Sequence, residues 1–239
     1  MEEKVNAVML RAADYQENDK ILTLFSLEKG VLTAKIRGVK KAGAKLKFAA
    51  EPFCFAEYVL AERQGRRTVA HAALLDGFYE IRTDLDRFYA GAAVLEFDRA
   101  FCPENLPSEE LFMATVETMK ELCYGDDTPR YTLLRFLLRA LPPTGYGIST
   151  EACAGCGESA FSRAFFDFGE GAVFCPLCAP ERAAEMSVRT LSVLNAVAAG
   201  GGKDADQRYL SRGLKLLSHY LSAKCGVKIG AIGELFRSE

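Results

Sequence analysis

Val31-Leu32-Thr33-Ala34-Lys35-Ile36-Arg37 alternates along its length. Leu32, Ala34 and Ile36 fall on one face, and Thr33, Lys35 and Arg37 on the other. That is the period-two pattern of a strand with one side in a core. Glu28-Lys29-Gly30 just before it is a turn signal, with glycine available for positive φ. Further upstream lie two short apolar runs, 21–25 and 5–10. Downstream, an aromatic-rich run at 53–60 follows Pro52. Arg63-Gln64-Gly65-Arg66 reads as a hairpin tip, with 68–73 as its return strand. About five strands of this length, separated by turn signals, predict a small closed barrel or sandwich.

After residue 76 the period changes to that of helices. Leu85, Phe88, Tyr89, Ala92, Ala93 and Leu95 fit a helix starting near Thr83-Asp84. Pro107-Ser108-Glu109-Glu110 is a second start, with Ser108 as cap and two acids in the first turn. Thr128-Pro129 is a third, with proline at the first helical position, and Pro142-Pro143 stops that helix. The tail repeats the style at Val188, Leu191, Leu194 and Val197. After a break at 200–202 it continues through Leu210, Leu214, Leu217 and Leu221. The stretch 226–239 is glycine-rich and weakly patterned.

The chain has 239 residues, 49% of them hydrophobic, and a formal net charge of −2. That length exceeds an average domain of roughly 100–150 residues, and the apolar content excludes a mostly disordered chain. The longest apolar runs fall far short of the ~18 residues a membrane helix needs. Met1-Glu2-Glu3-Lys4 begins no secretory leader pattern, so a cytoplasmic protein with reduced cysteines is expected. Residues 1–70 carry 13 Lys and Arg against 9 Asp and Glu; residues 71–239 carry 17 against 23. A basic first third on a mildly acidic chain implies a local anionic partner.

Cys153-Ala-Gly-Cys156 and Cys175-Pro-Leu-Cys178 are separated by eighteen residues. This C-x2-C…C-x2-C spacing suits a four-cysteine zinc site. Each tight turn aims two sulfurs at one ion, and a hairpin through 165–171 returns the second pair. Two unrelated pairs of buried thiols are the competing reading. Four thiolates without an open position predict one structural Zn²⁺ rather than a catalytic one. Cys54, Cys102, Cys123 and Cys225 lack such spacing and read as buried small hydrophobes.

Between residues 35 and 47 stand six cations and no acid: Lys35, Arg37, Lys40, Lys41, Lys45 and Lys47. Such a tract is a phosphate-binding footprint. Arg66 extends it, together with Arg11, Lys20, Arg63 and Arg67. A solvated lysine-rich loop competes for the same residues. Phe25, Phe48, Phe53, Phe55 and Tyr58 lie nearby as base-stacking or core rings, and alternation leaves both roles open. The chain contains no P-loop, zinc-deaminase signature, nucleophile elbow or H-E-x-x-H, so the motifs predict a protein that is not an enzyme.

The run Asp14-Tyr15-Gln16-Glu17-Asn18-Asp19-Lys20-Ile21-Leu22-Thr23-Leu24-Phe25 leads to Lys29-Gly30. After it come Ala34-Lys35-Ile36-Arg37-Gly38-Val39-Lys40-Lys41, Glu51-Pro52-Phe53, Leu95-Glu96-Phe97 and the four cysteines. Taken in this order, the chain resembles the bacterial RecO family of recombination mediators and DNA repair proteins. The resemblance implies an α+β protein: an N-terminal OB-fold β-barrel, then a mostly α-helical domain with an inserted four-cysteine zinc module. The boundaries expected are 1–78 for the barrel, 79–150 and 181–239 for the two helical parts, and 151–180 for the module. It also implies binding to single- and double-stranded DNA and annealing of complementary strands. The partners it implies are RecR and, in many species, the single-stranded-DNA-binding protein, with RecA loading as the outcome. The family's basic barrel surface corresponds to Lys35, Arg37, Lys40, Lys41, Lys45 and Lys47, and its zinc ligands to Cys153, Cys156, Cys175 and Cys178. The alternatives are an RNA-binding transcription or translation factor with barrel and zinc module, a protein adaptor that binds no DNA, and a zinc enzyme.

Overall fold

The computed structural model describes residues 2–160 and 162–237. Its first five strands are β1 (Glu2–Tyr15), β2 (Asp19–Ser26), β3 (Gly30–Ile36), β4 (Phe55–Arg63) and β5 (Arg66–Asp76). They close into a barrel of order β1-β2-β3-β5-β4. β1 is long because it serves two neighbours: Glu2 to Val8 pairs with β4, and Ala7 to Tyr15 pairs with β2. The register shifts between Met9 and Arg11, so Leu10 is an inserted residue that bends the strand around the barrel. Closure comes from one parallel contact, Lys35 opposite Thr68. This is the expected OB-type barrel.

The alternation read in β3 holds. Leu32, Ala34 and Ile36 are buried in the barrel interior with Val5, Leu22, Leu24 and Leu60. Gln64 and Gly65 at the β4–β5 tip both have positive φ, the turn a two-residue hairpin requires. β4 starts at Phe55 rather than at Phe53, because Phe53 is left-handed (φ 64°) and turns its ring into the core.

The helices are α1 (Leu85–Phe101), α2 (Glu109–Tyr124), α3 (Pro129–Ala140), α4 (Val188–Ala198), α5 (Gln207–Cys225) and α6 (Gly230–Leu235). The predicted caps act as caps: Leu111 N–H donates to Ser108 Oγ and Tyr131 N–H to Thr128 Oγ1. Contacts group into two units. One joins the described residues up to Asp84 with Val94–Tyr124, and the other joins Leu85–Ala93 with those from Gly125 onward. In the first, Phe112 of α2 meets Phe25 and Phe55 edge-on, at 5.5 and 6.0 Å between ring centroids. In the second, α5 crosses close to α3 and α4 at Gly213. A Cβ there would lie 3.1 Å from Leu194 and 3.2 Å from Leu134. The second unit also carries β6 (Ala164–Asp167), β7 (Ala172–Phe174) and β8 (Ala184–Met186), in the order β7-β6-β8.

Two elements escape the sequence reading. β8 has three residues, too few to show a period, and exists because β6 offers it an edge. α6 lies in the glycine-rich tail, where Ala231, Ile232 and Leu235 are buried.

Asp98, on the α1 segment of the first unit, is fully buried. Its Oδ2 accepts from Thr115 Oγ1 at 2.9 Å, and its Oδ1 has no hydrogen-bond partner among the described residues. Burial raises its pKa well above the usual carboxylate range, against the Thr115 bond. A raised folded-state value means the native state holds the proton that the unfolded state releases. Stability is therefore full below the unfolded pKa near 4 and declines as pH rises toward the folded value. Asp98→Asn is expected to raise stability at pH 7 by about 1–3 kcal/mol and to flatten the decline above pH 4 in urea titrations. A variant less stable than the parent at pH 7 contradicts this.

Candidate nucleic-acid groove and metal centre

The barrel seam makes the first candidate site. Outward residues of β2 and β3 meet the β4–β5 hairpin across a hollow of about 600 Å³ lined by Tyr15, Ile21, Thr33, Lys35, Arg37 and the run Arg63-Gln64-Gly65-Arg66-Arg67-Thr68. Five cations thus converge, three of them from a hairpin some thirty residues along the chain. Arg37 also borders a second hollow, about 540 Å³, formed by the β1–β2 turn from Gln16 to Asp19 with Gly38 and Lys41. In OB barrels the β2–β3 face and the loops after β1 and β4 form the oligonucleotide-binding side.

The cations differ in availability. Lys35 pairs with Asp19 at 2.8 Å, donates to Gln16 at 3.3 Å and sits 4.7 Å from the Tyr15 ring centroid. Lys40 pairs with Asp14 at 2.9 Å. Arg67 lies between Glu3 and Glu62, 3.5 Å from each, and donates to Asn105. Hydrogen bonds from Lys35 and from Gly38 N–H hold the Asp19 carboxyl below its ordinary value, and Lys40 does the same for Asp14. Arg37, Lys41, Lys45, Lys47, Arg63 and Arg66 make no ion pair among the described residues. Of the seven residues singled out in the sequence, Lys35, Arg37 and Arg66 line the seam groove and Lys41 lines the adjoining hollow. Lys40, Lys45 and Lys47 line neither.

The ring question resolves toward the core. Phe25, Phe53 and Tyr58 are fully buried, and Tyr58 donates its hydroxyl to Ala49 O at 3.0 Å. Phe48 and Phe55 are partly buried. The exposed ring at the groove is Tyr15, 43% exposed, which the sequence reading did not single out. The end of a strand carries no periodic cue, and it is the pairing of β1 with β2 and of β2 with β3 that brings Tyr15 beside Lys35.

The second candidate is a metal centre. The sulfurs of Cys153, Cys156, Cys175 and Cys178 all lie within 4.8 Å of one another, and Cys156 and Cys175 are 3.8 Å apart. A tetrahedron with metal–sulfur bonds of ~2.3 Å has an edge of about 3.8 Å, so the quartet fits a four-coordinate ion. Gly155 leaves the room it needs, since a Cβ there would lie 2.7 Å from that of Cys178. Burial opposes ionisation of Cys153, but N–H groups of Cys175, Cys156 and Gly155 outweigh it and bring the thiol down to about 6. Hydrogen bonding to Cys175 and Cys156 pushes Cys178 up to about 12. Thiols this close share protons until a cation replaces them. Neither histidine belongs to this group: His71 lies on β5 of the first unit, and His219 stacks on Phe168. Cys54, Cys102 and Cys123 are buried as expected, and Cys225 is half-buried.

Among the described residues no helix is long and apolar enough to cross a membrane. The sequence profile described as Recombination protein O N terminal matches residues 1–78, and that described as Recombination protein O C terminal matches 82–231. A protein of Nocardioides sp. named DNA repair protein RecO is 30% identical over 223 residues, covering 90% of this chain and 91% of its own. Another of that name, from Anaeromyxobacter sp., is 32% identical over 203 residues, covering 83% and 80%. A third, from Pelotomaculum thermopropionicum, is 30% identical over 226 residues, covering 92% and 88%. With two profiles matching consecutively over most of the chain, and relatives aligned nearly end to end, this protein belongs to the RecO family of DNA repair and recombination proteins.

Proposed function

We propose that the chain is a DNA-binding recombination mediator that anneals complementary strands and, with RecR, helps load RecA on single-stranded DNA. It does so by neutralising phosphate charge, without turning over a substrate. The observation that carries this reading is the convergence of Lys35, Arg37, Arg63, Arg66 and Arg67 on the oligonucleotide-binding side of an OB barrel. Repulsion between two strands falls when cations replace their counterions, so pairing can nucleate. Lys35, Arg37, Lys40, Lys41, Lys45, Lys47 and Arg66 serve as DNA contacts, with Tyr15 as the stacking ring. The quartet holds one structural Zn²⁺, through Cys153, Cys156, Cys175 and Cys178. The functional modules are the barrel at 1–78, helical parts at 79–150 and 181–239, and the zinc module at 151–180. The single-stranded-DNA-binding protein is a further partner, and the protein acts in the cytoplasm on the nucleoid.

The sharpest test uses unpaired cations. Reversing Lys40 would place a carboxylate against Asp14 and confuse the result. Arg37→Glu with Arg66→Glu is expected to weaken binding to oligo-dT at least about tenfold at physiological salt. It should also flatten the log–log salt dependence by about 0.7 per lost contact. An unchanged slope rejects the groove, and tighter binding to RNA than to DNA of the same sequence favours the RNA-factor reading.

Asp14 and Asp19 already occupy two lysines as internal carboxylate partners. A phosphate must displace them to engage Lys40 and Lys35. Asp14→Asn is therefore expected to tighten DNA binding by about two- to fivefold, the scale of an exposed ion pair. Weaker binding in a low-salt anisotropy titration contradicts that role.

A further inference from the structure

From Gln207 to Gly233 the chain carries no Asp or Glu, although 32 acids stand in the whole sequence. The same stretch holds Arg208, Arg212, Lys215, Lys224 and Lys228. On α5 the spacing places Arg208, Arg212, Lys215 and His219 at i, i+4, i+7 and i+11, one stripe about 16 Å long. All four are exposed, while Leu210, Leu214, Leu217 and Leu221 occupy the opposite, buried face. Arg208, Arg212, Lys215 and Lys228 make no ion pair among the described residues. Lys224 lies off the stripe and donates to Gly169 O.

The stripe runs into a groove of about 480 Å³ between α5 and α6, where Lys215 and Lys228 border Ile229, Ile232 and Phe236. Ring faces accompany the charges. The Lys215 ammonium sits 4.7 Å from the Phe236 centroid, the Arg212 guanidinium 5.6 Å from that of Tyr209, and His219 stacks on Phe168 at 4.4 Å and 23°. A row of unneutralised cations beside aromatic faces is the arrangement that grips a phosphodiester backbone and receives bases. An acidic peptide would suit the groove alone and leave Arg208 and Arg212 without a role.

We infer that this face of α5, with the α5–α6 groove, is a second binding surface for a single nucleic-acid strand, separate from the barrel seam. Annealing brings two strands together, and the seam with the α5 face supplies a place for each. That role in annealing rests on the function proposed above, whereas the strand-binding itself does not.

The test uses the full chain, labelled oligo-dT and a complementary-strand annealing assay. Arg212→Glu with Lys215→Glu should remove the second, salt-sensitive binding step and leave the first within about twofold. Annealing should slow at least about tenfold, with a smaller loss for the Arg212→Gln, Lys215→Gln pair. Both pairs lie on the solvent face, and an unchanged thermal melt verifies the fold. An unaltered second step, or loss of poly-glutamate binding with oligo-dT binding intact, overturns the inference. The Arg37→Glu, Arg66→Glu pair separates the two claims. If it leaves the first step unchanged, the barrel reading fails while the α5 surface still stands on its own step.

Discussion

Cys175→Ser is expected to abolish stoichiometric zinc binding and to open the chain between residues 151 and 187 to protease. Among the described residues, the apolar cluster around the quartet contains only Cys153, Ala172, Phe174 and Cys175, with Cys178 and Ala179 at its edge. So small a cluster does little to offset the chain entropy of ordering the two knuckles, and the ion proposed above would supply the difference. Apparent zinc contributions of about 10–16 kcal/mol are typical of isolated finger peptides. Here the loss should be smaller, because the hairpin has other supports. Tyr220 packs against Gly171, Asp167 Oδ1 accepts from the N–H groups of Gly169 and Glu170, and Ser149 exchanges backbone hydrogen bonds across to Gly171 and Val173. A destabilisation of about 4–5 kcal/mol is expected for the second unit, with the barrel melting separately. Metal analysis and limited proteolysis of the intact protein check it. A serine variant that keeps its zinc and its protease resistance shows the quartet is not the site. Binding of oligo-dT to the barrel seam should survive, since the seam belongs to the other unit.

Gly30→Ala is expected to disrupt the barrel more than any single change in its groove. Gly30 has φ +68°, which an alanine adopts at a cost of roughly 1–2 kcal/mol. Its Cβ would also fall 2.1 Å from the carbonyl oxygen of Leu106 and 2.6 Å from the carbonyl carbon. These are backbone atoms, so no rotamer relieves the clash. The strand start and segment 103–106 must separate. That segment is held by Val31 N–H donating to Pro103 O and by Asn105 N–H donating to Val31 O at 2.9 Å. Separation breaks both bonds and withdraws Asn105 from Arg67. Strain, overpacking and lost hydrogen bonds together amount to about 3–5 kcal/mol. Urea unfolding followed by far-UV circular dichroism measures it. A stability within about 1 kcal/mol of the parent means the segment moves aside freely. Gly65→Ala is the control: it shares a positive φ but meets nothing within 4 Å, so it should incur the backbone cost alone.

Local chemistry explains which parts were legible in advance. The alternation of Leu32, Ala34 and Ile36, the caps Ser108 and Thr128, the stop at Pro142-Pro143 and the two C-x2-C pairs each act within a few residues. Each is therefore written in consecutive sequence. The cysteine quartet is the extreme case: two knuckles and a hairpin of fixed length leave the sulfurs little choice of geometry.

The groove belongs to the other category. Its cations come from β3, from Arg37 just past it and from the β4–β5 hairpin, and the parallel contact of Lys35 with Thr68 joins them. The uninterrupted tract from 35 to 47 was therefore a partial guide. It includes Lys45 and Lys47, which do not line the groove, and gave no reason to single out Tyr15, which does. Whether a lysine is available is likewise settled from a distance: Lys35 is held by Asp19 of the neighbouring strand, and Lys40, past the end of β3, by Asp14 of β1. Strand and helix types, the caps and the four clustered thiols could be read from consecutive residues, because each depends on neighbours along the chain. Which charges meet, which are neutralised and which ring stays exposed became readable only in the folded barrel, because electrostatics and burial depend on separation in space.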